Sequence, residues 1–148
     1  MIARQESARV ALLAIVLGSF GIACTCEPAV AETIVLKAAL DAAAEVPPNA
    51  GGGTGQGAFT YDTDTKQLTY SITYDELTGP ATAGHIHGPA SPGENAGIVV
   101  PFAVPESPIS GTATLTDDQA AALLGERLYV NIHTAVNKNG EIRGQIVK

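Results

Sequence analysis

Short runs of alternating apolar and polar residues, separated by turn-forming residues, most strongly constrain what this chain can fold into. The run GQGAFTYD (55–62) is followed after three residues by KQLTYSITY (66–74), and the alternation returns in SGTATLT (110–116) and RLYVNIHT (127–134). Successive side chains of a strand point to opposite faces, so this period of two predicts strands with one buried and one polar face. The 16 glycines and 9 prolines supply frequent turns between them. The sequence therefore predicts an all-β chain.

Three further apolar runs and one helical segment complete the predicted fold. The runs are TIVLKAAL (33–40), TAGHIHG (82–88) and IVVPFAV (98–104). A capping box of Thr116 and Gln119, followed by Gly125, predicts a single short helix. Asn139-Gly140 predicts a tight turn before a final strand. We expect an antiparallel Greek-key or immunoglobulin-like β-sandwich of about seven or eight strands with one short helix.

Residues 1–31 have the pattern of a secretory signal peptide. A basic start precedes an apolar run at 11–23, and the small residues that follow predict cleavage after Ala31. The apolar run is too short to span a bilayer comfortably. We therefore expect residues 32–148 to form one mature domain that has no membrane span and is exported to the periplasm or the medium.

Both cysteines of the chain, Cys24 and Cys26, lie in this segment. Cleavage after Ala31 removes them and leaves a mature domain without a disulfide. Anchoring through a lipid on Cys24 is an alternative. The residues before Cys24 argue against it, because they lack the Leu that a lipoprotein signal carries three positions before its cysteine.

Charge and motifs exclude several classes of function. The net charge is −7 and no basic run occurs, whereas binding to nucleic-acid phosphates requires clustered Lys and Arg. No G-x-S-x-G motif of a serine hydrolase is present. The Gly-rich stretch 50–57 lacks the Lys-Ser/Thr ending of a phosphate-binding loop and precedes a predicted strand, not a helix. We expect no nucleic-acid partner.

The three histidines of the chain share one strand phase. His85 and His87 point to the same face of a strand, with Ile86 opposite, and His133 lies on the polar side of the run LYVNIHT. If the two strands are neighbours, three imidazoles converge and can bind one copper or zinc ion. The alternative is that the histidines only hold the following loop, 88–97, through hydrogen bonds to its backbone.

Three further polar residues fall on the same side of the predicted strands. Asn131 precedes His133 by two positions, and Glu141 and Arg143 alternate with Ile142 in the last strand. We expect Glu141 and Arg143 to face outward, where they pair with each other or orient a histidine.

Three blocks of sequence resemble the chordin-type (CHRD) domain family. They are LDAAAEVPP (40–48), LTYSITYDELTGPATAGHIHGPASPGENAGIVVPF (68–102) and LYVNIHTAVNKNGEIRGQI (128–146). The resemblance covers the chain from about Thr33 to Val147. It implies an immunoglobulin-like or related β-sandwich of the kind found singly in exported bacterial proteins and repeated in a secreted animal regulator that binds growth factors.

The HIHG strand is also similar to the His-x-His metal strand of copper-zinc superoxide dismutase. This likeness implies that His85 and His87 are metal ligands and that His133 is a third. The chain departs from the dismutase pattern because its three histidines cannot complete two metal sites. A single metal site is compatible with the comparison, whereas dismutase activity is not expected.

These observations lead to three hypotheses on function. The first is an exported binding module that holds copper or zinc through His85, His87 and His133, assisted by Asn131, Glu141 and Arg143. The second is an envelope or extracellular protein-interaction or structural domain without a metal. The third, a metal-dependent redox enzyme, requires an open coordination position. We expect a binding module and not an enzyme.

Overall fold

The computed structural model describes residues 32–148, and the predicted signal peptide, 1–31, lies outside the described residues. The described part contains eight strands and one helix. These are β1 (Thr33–Asp41), β2 (Thr54–Asp62), β3 (Gln67–Asp75), β4 (Ala81–His87), β5 (Ile98–Pro101), β6 (Ile109–Thr114), α1 (Asp117–Leu124), β7 (Tyr129–Thr134) and β8 (Ile142–Gln145). Within residues 32–148, no helix is long and apolar enough to cross a membrane.

The strands form one antiparallel ladder in the order β5-β4-β7-β8-β1-β2-β3-β6. The predicted hairpin of β2 and β3 is present, and Asp62 explains its turn. The Asp62 carboxylate accepts hydrogen bonds from the backbone N–H groups of Asp64 (3.0 Å) and Thr65 (2.8 Å). Such a side chain replaces the backbone partner that a tight turn lacks, and this fixes where the chain reverses.

Alternate residues of each strand build the core, as the period of two predicts. The buried hydrophobic residues of the first three strands are Leu36, Ala38, Leu40, Phe59, Tyr61, Leu68, Tyr70 and Ile72. The far end of the ladder folds back onto them, since the ring of Phe102, just after β5, lies 5.1 Å from the ring of Tyr70 on β3. The result is a nearly closed, sandwich-like sheet, and the predicted antiparallel all-β fold is confirmed.

Helix α1 has the cap that its sequence predicts. The Thr116 hydroxyl accepts from the Gln119 N–H (3.3 Å), and the Gln119 side chain accepts from the Thr116 N–H (2.9 Å). The helix ends at Gly125, whose N–H donates to the carbonyl of Ala121. Leu123 is fully buried, so the helix covers one end of the core.

The polar face of β7 and β8 differs from the prediction. Glu141 and Arg143 were expected to face outward into solvent, yet they are 0% and 1% exposed. Two loops, 42–53 and 88–97, cover this face, and the Asn95 side chain joins them by donating to the carbonyl of Val46 (3.0 Å). The alternation places these residues opposite the core correctly, but it cannot show that loops bury them.

Candidate metal centre

The three histidines lie together on one face of the sheet. Strand β4 pairs with β7 in a register that sets His85 opposite Asn131 and His87 opposite Tyr129, with His133 opposite Ala83. The ring centroids are 5.2 Å apart for His85 and His87, 5.1 Å for His85 and His133, and 6.1 Å for His87 and His133. One nitrogen of each ring lies within 4.8 Å of those of the other two. The register of two strands therefore produces the cluster.

One pair of nitrogens already has the spacing of two ligands on one ion. His85 Nδ1 and His133 Nε2 are 3.2 Å apart. Metal–nitrogen bonds of about 2.0–2.1 Å place two nitrogens of a tetrahedral site about 3.3 Å apart. One nitrogen from each of the three rings lies within 4.8 Å of the other two, so the cluster is compact enough to hold one ion.

Backbone carbonyls fix the proton positions of two of the rings. His87 Nδ1 lies 3.0 Å from the carbonyl oxygen of Ala96, and His133 Nδ1 lies 3.0 Å from that of Lys138. A carbonyl only accepts, so each Nδ1 carries the proton and each neutral ring keeps its lone pair on Nε2. His87 Nε2 is buried and has no hydrogen-bond partner among residues 32–148. This is the ring orientation that metal-binding histidines adopt.

The surroundings keep the three imidazoles uncharged near neutral pH. Burial lowers the pKa of His85, and the neighbouring His133 and His87 lower it further. Burial also lowers the pKa of His87 and His133, although the bonds to Ala96 and Lys138 oppose this. Neutral imidazole is the form that binds metal ions.

Tyr129 supports the cluster, and sequence reasoning did not single it out. Its ring stacks on that of His87, with centroids 5.2 Å apart and planes inclined by 11°. Its hydroxyl accepts from the N–H of Ala96, the residue whose carbonyl holds His87. In the alternation of β7, Tyr129 falls on the same polar face as His133. This position on the polar face was the one sign of its role in the sequence.

Arg143 reaches the cluster through Tyr129. Its guanidinium carbon lies 3.6 Å from the centroid of the Tyr129 ring, a cation–π contact. The guanidinium donates to the Asn95 side chain (3.2 Å) and to the carbonyl of Ser91 (3.5 Å). The expected pairing of Arg143 with Glu141 is absent, and the contacts with loop 88–97 take its place.

Glu141 holds the sheet end beside His133 and does not bond a histidine. Its carboxylate accepts from the Thr78 N–H (2.5 Å) and hydroxyl (2.7 Å) and from the Thr134 hydroxyl (2.5 Å). Burial acts to raise the pKa of Glu141, but the bonds from Thr134 and Thr78 outweigh it and leave the pKa lowered. Glu141 therefore acts as an anion that ties three chain segments together.

Asn131 lies beside His85 but bonds Glu45, a residue that sequence reasoning missed. The Asn131 amide donates to Glu45 Oε2 at 3.2 Å, and both residues are 3% exposed. Glu45 Oε1 and Asn131 Oδ1 have no partner among residues 32–148, and both pack against Gly140. Burial raises the pKa of Glu45, against the opposing effects of Asn131, Val46 and Arg143. The only sign of this role in the sequence was that Glu45 is the one charged residue of the run AAAEVPP (42–48).

Comparison with known proteins gives one result. A family model described as the CHRD domain matches residues 36–146, which are 111 of the 148 residues. The match includes the three histidines and every residue described around them. No curated protein and no solved structure matches the chain.

Proposed function

Since the chain belongs to the CHRD domain family, whose domain acts as a binding or structural module, we propose that it binds one transition-metal ion, copper or zinc. The ligands are His85, His87 and His133. Tyr129 and Arg143 position His87. Asn131 lies on the same strand as His133, and Glu141 bonds Thr134, the residue after it.

The observation that carries this proposal is the arrangement of lone pairs. Two rings have their Nδ1 protons held by backbone carbonyls, so both keep a lone pair on Nε2. His87 Nε2 has no partner among residues 32–148, and His133 Nε2 has only His85 Nδ1 at 3.2 Å, a hydrogen bond that a metal ion would replace. A role as loop anchors explains the two carbonyl bonds. A hydrogen bond between His85 Nδ1 and His133 Nε2 explains why the third imidazole adjoins them. Neither explains why His87 Nε2 is buried without a partner among residues 32–148.

The ligand type narrows the choice of ion. Imidazole suits copper and zinc, whereas carboxylates and carbonyls suit magnesium and calcium. The cluster in residues 32–148 consists of histidines alone. At a site of given ligands the cupric ion binds more tightly than the zinc ion, so we expect copper to displace zinc when both are present.

We further propose that the domain is exported and meets its metal in the periplasm or the medium. The pattern of residues 1–31 supports this placement. We assign the domain a binding role and not a catalytic one. An envelope or extracellular protein remains the alternative partner if no metal binds.

The experiment is metal analysis by mass spectrometry on residues 32–148 without a histidine tag. The protein is loaded with copper and zinc and desalted at about pH 7.5, above the ordinary histidine pKa. We expect close to one ion per chain, and none in a variant with alanine at His85, His87 and His133. Lys138→Ala is the control, because it removes an exposed side chain but keeps the carbonyl that holds His133. Negligible metal in all three proteins would overturn the proposal.

A further inference from the structure

We infer that the cluster holds copper as the cuprous ion, Cu⁺, in preference to the cupric ion, Cu²⁺. This inference rests on the proposed function, since it names the state of the ion that the same three histidines bind. Three features of the described residues carry it: the charge of the ligands, their number, and the charged group behind them.

The ligands are electrically neutral. The Nδ1 protons of His87 and His133 are held by carbonyl oxygens of Ala96 and Lys138, which are uncharged acceptors and do not draw the proton away as a carboxylate does. All three rings are half-buried, so solvent compensates the charge of a bound ion only in part. With no ligand anion to offset it, a doubly charged ion bears a larger desolvation penalty than a singly charged one.

The number of ligands also fits the lower oxidation state. Cupric ions favour square-planar or tetragonal sites of nitrogen and oxygen ligands, which need at least four donors. Among residues 32–148 the cluster offers three, one from each ring. A cuprous ion, which has a filled d shell and no such geometric demand, is satisfied by three nitrogens.

A buried cation lies behind the cluster. Arg143 is 1% exposed, and its guanidinium contacts Tyr129, whose ring stacks on His87. Charges at such positions are little screened by salt. A fixed positive charge disfavours Cu²⁺ more than Cu⁺.

Two acids also face this region from neighbouring elements. Glu45 adjoins Asn131, and burial raises its pKa, which favours its uncharged form. Glu141 is ionised, but its carboxylate is turned toward the hydroxyls of Thr78 and Thr134. Since Glu141 opposes the effect of Arg143, the contribution of the cation must be measured by removing it.

The test compares two dissociation constants of the same protein, residues 32–148. Cu⁺ affinity is measured without oxygen, with ascorbate and a competing chromophoric chelator, and Cu²⁺ affinity is measured by competition in air. We expect Cu⁺ to bind at least tenfold more tightly. Arg143→Met should reduce this preference about tenfold, which corresponds to a potential lowered by about 59 mV for one electron. Lys37→Met, which removes an exposed lysine on β1, should leave it unchanged.

A second variant avoids the buried arginine, whose loss can disturb the fold. His85→Asp replaces a half-buried neutral ligand by an anionic one, and we expect it to reduce the preference for Cu⁺ at least tenfold. Equal or tighter binding of Cu²⁺ by the unsubstituted protein would overturn the inference, as would an unchanged preference in His85→Asp. If the inference fails but the protein still binds Zn²⁺ and Cu²⁺, the proposed metal site stands. If the protein binds none of Zn²⁺, Cu²⁺ and Cu⁺, the proposed metal site and the preference for Cu⁺ are both overturned.

Discussion

At His87, the two faces of strand β4 separate metal binding from folding. Ile86 is fully buried in the core, whereas His87 is half-buried on the other face. We expect His87→Ala to reduce the bound metal to near zero. Its free energy of unfolding should fall by only about 1 kcal/mol, the value of the lost hydrogen bond to Ala96. Metal analysis and urea denaturation of the metal-free protein measure the two effects, and an unfolded variant would favour the loop-anchor hypothesis.

At Ile132, next to the proposed ligand His133, we expect the opposite result: a loss of stability without a loss of metal binding. Ile132 is fully buried beside His133 and faces the core. Ile132→Ala opens a cavity and should cost about 2–5 kcal/mol of stability, measured by urea denaturation. The variant should still bind one ion per chain under native conditions, because the ligand side of β7 is unchanged. Loss of metal without loss of stability would contradict this account.

Glu45 makes stability depend on pH in an unusual direction. Because burial raises its pKa above the ordinary value of 4.5, the folded state holds the proton more firmly than the unfolded state. The stability that Glu45 contributes by holding its proton in the folded state is fully present below pH 4.5. It is lost as the pH rises through the raised pKa. Glu45→Gln cannot ionise, and its amide supplies a donor for Asn131 Oδ1. The variant should therefore gain stability relative to the unsubstituted protein between about pH 5 and 8.

The measurement is a series of urea unfolding curves for both proteins, from pH 4.5 to 8. If the two free energies of unfolding run parallel over this interval, Glu45 is ionised in the folded domain and the interpretation is wrong.

At the level of elements, Glu141 joins the end of β7, the start of β8 and the segment before β4. Its lowered pKa means that its contribution to stability is present above the ordinary value of 4.5 and is lost as the pH falls through the lowered pKa. Glu141→Gln should cost about 1.5–3 kcal/mol at pH 7, the range for a hydrogen bond to a charged group, and less below pH 4. Thermal or urea denaturation at both pH values checks this, and Asp75→Asn, an exposed change on β3, is the control.

The elements show what the sequence could predict and what it could not. Alternation predicts β2 and β3, and the pair Thr116 and Gln119 predicts α1, because both signals are local. The shared phase of His85, His87 and His133 is also local and was predicted, whereas the pairing of β4 with β7 that brings them together was only a condition in the sequence analysis. The burial and the partners of residues that contact distant loops cannot be predicted from the sequence. The sequence predicts Arg143 to be a surface residue, because it does not show that loop 88–97 covers this side chain. It places Glu45 in a loop, because it does not show the hydrogen bond with Asn131.

The candidate site draws on both halves of the molecule. Its ligands come from β4 and β7 near one end of the ladder, while Glu45 belongs to the loop between β1 and β2 in the middle of the ladder. Asn95 joins this loop to loop 88–97. Binding of a metal to the folded state raises stability by about 2.7 kcal/mol at one hundred times the dissociation constant. Loop 42–53 carries no ligand, but Asn95 ties it to loop 88–97, in which Ala96 holds His87.

The nearly closed sheet has one gap, between β5 and β6. Among residues 32–148 no backbone hydrogen bond joins these two strands. The contact of Phe102, just after β5, with Tyr70 on β3, the neighbour of β6, packs side chains across this gap. Separation there breaks side-chain contacts but no bond of the ladder, so amide protons of β5 and β6 should exchange with solvent faster than those of β1 and β2. We expect Phe102→Ala to accelerate exchange in β5 and β6 first, by mass spectrometry, and uniform acceleration would contradict this.

Each opening of the gap also uncovers two unpaired strand edges, which can pair with the edges of another molecule. We therefore expect a weakened contact of Phe102 with Tyr70 to favour edge-to-edge association of copies in a concentrated solution, whether or not a metal is bound.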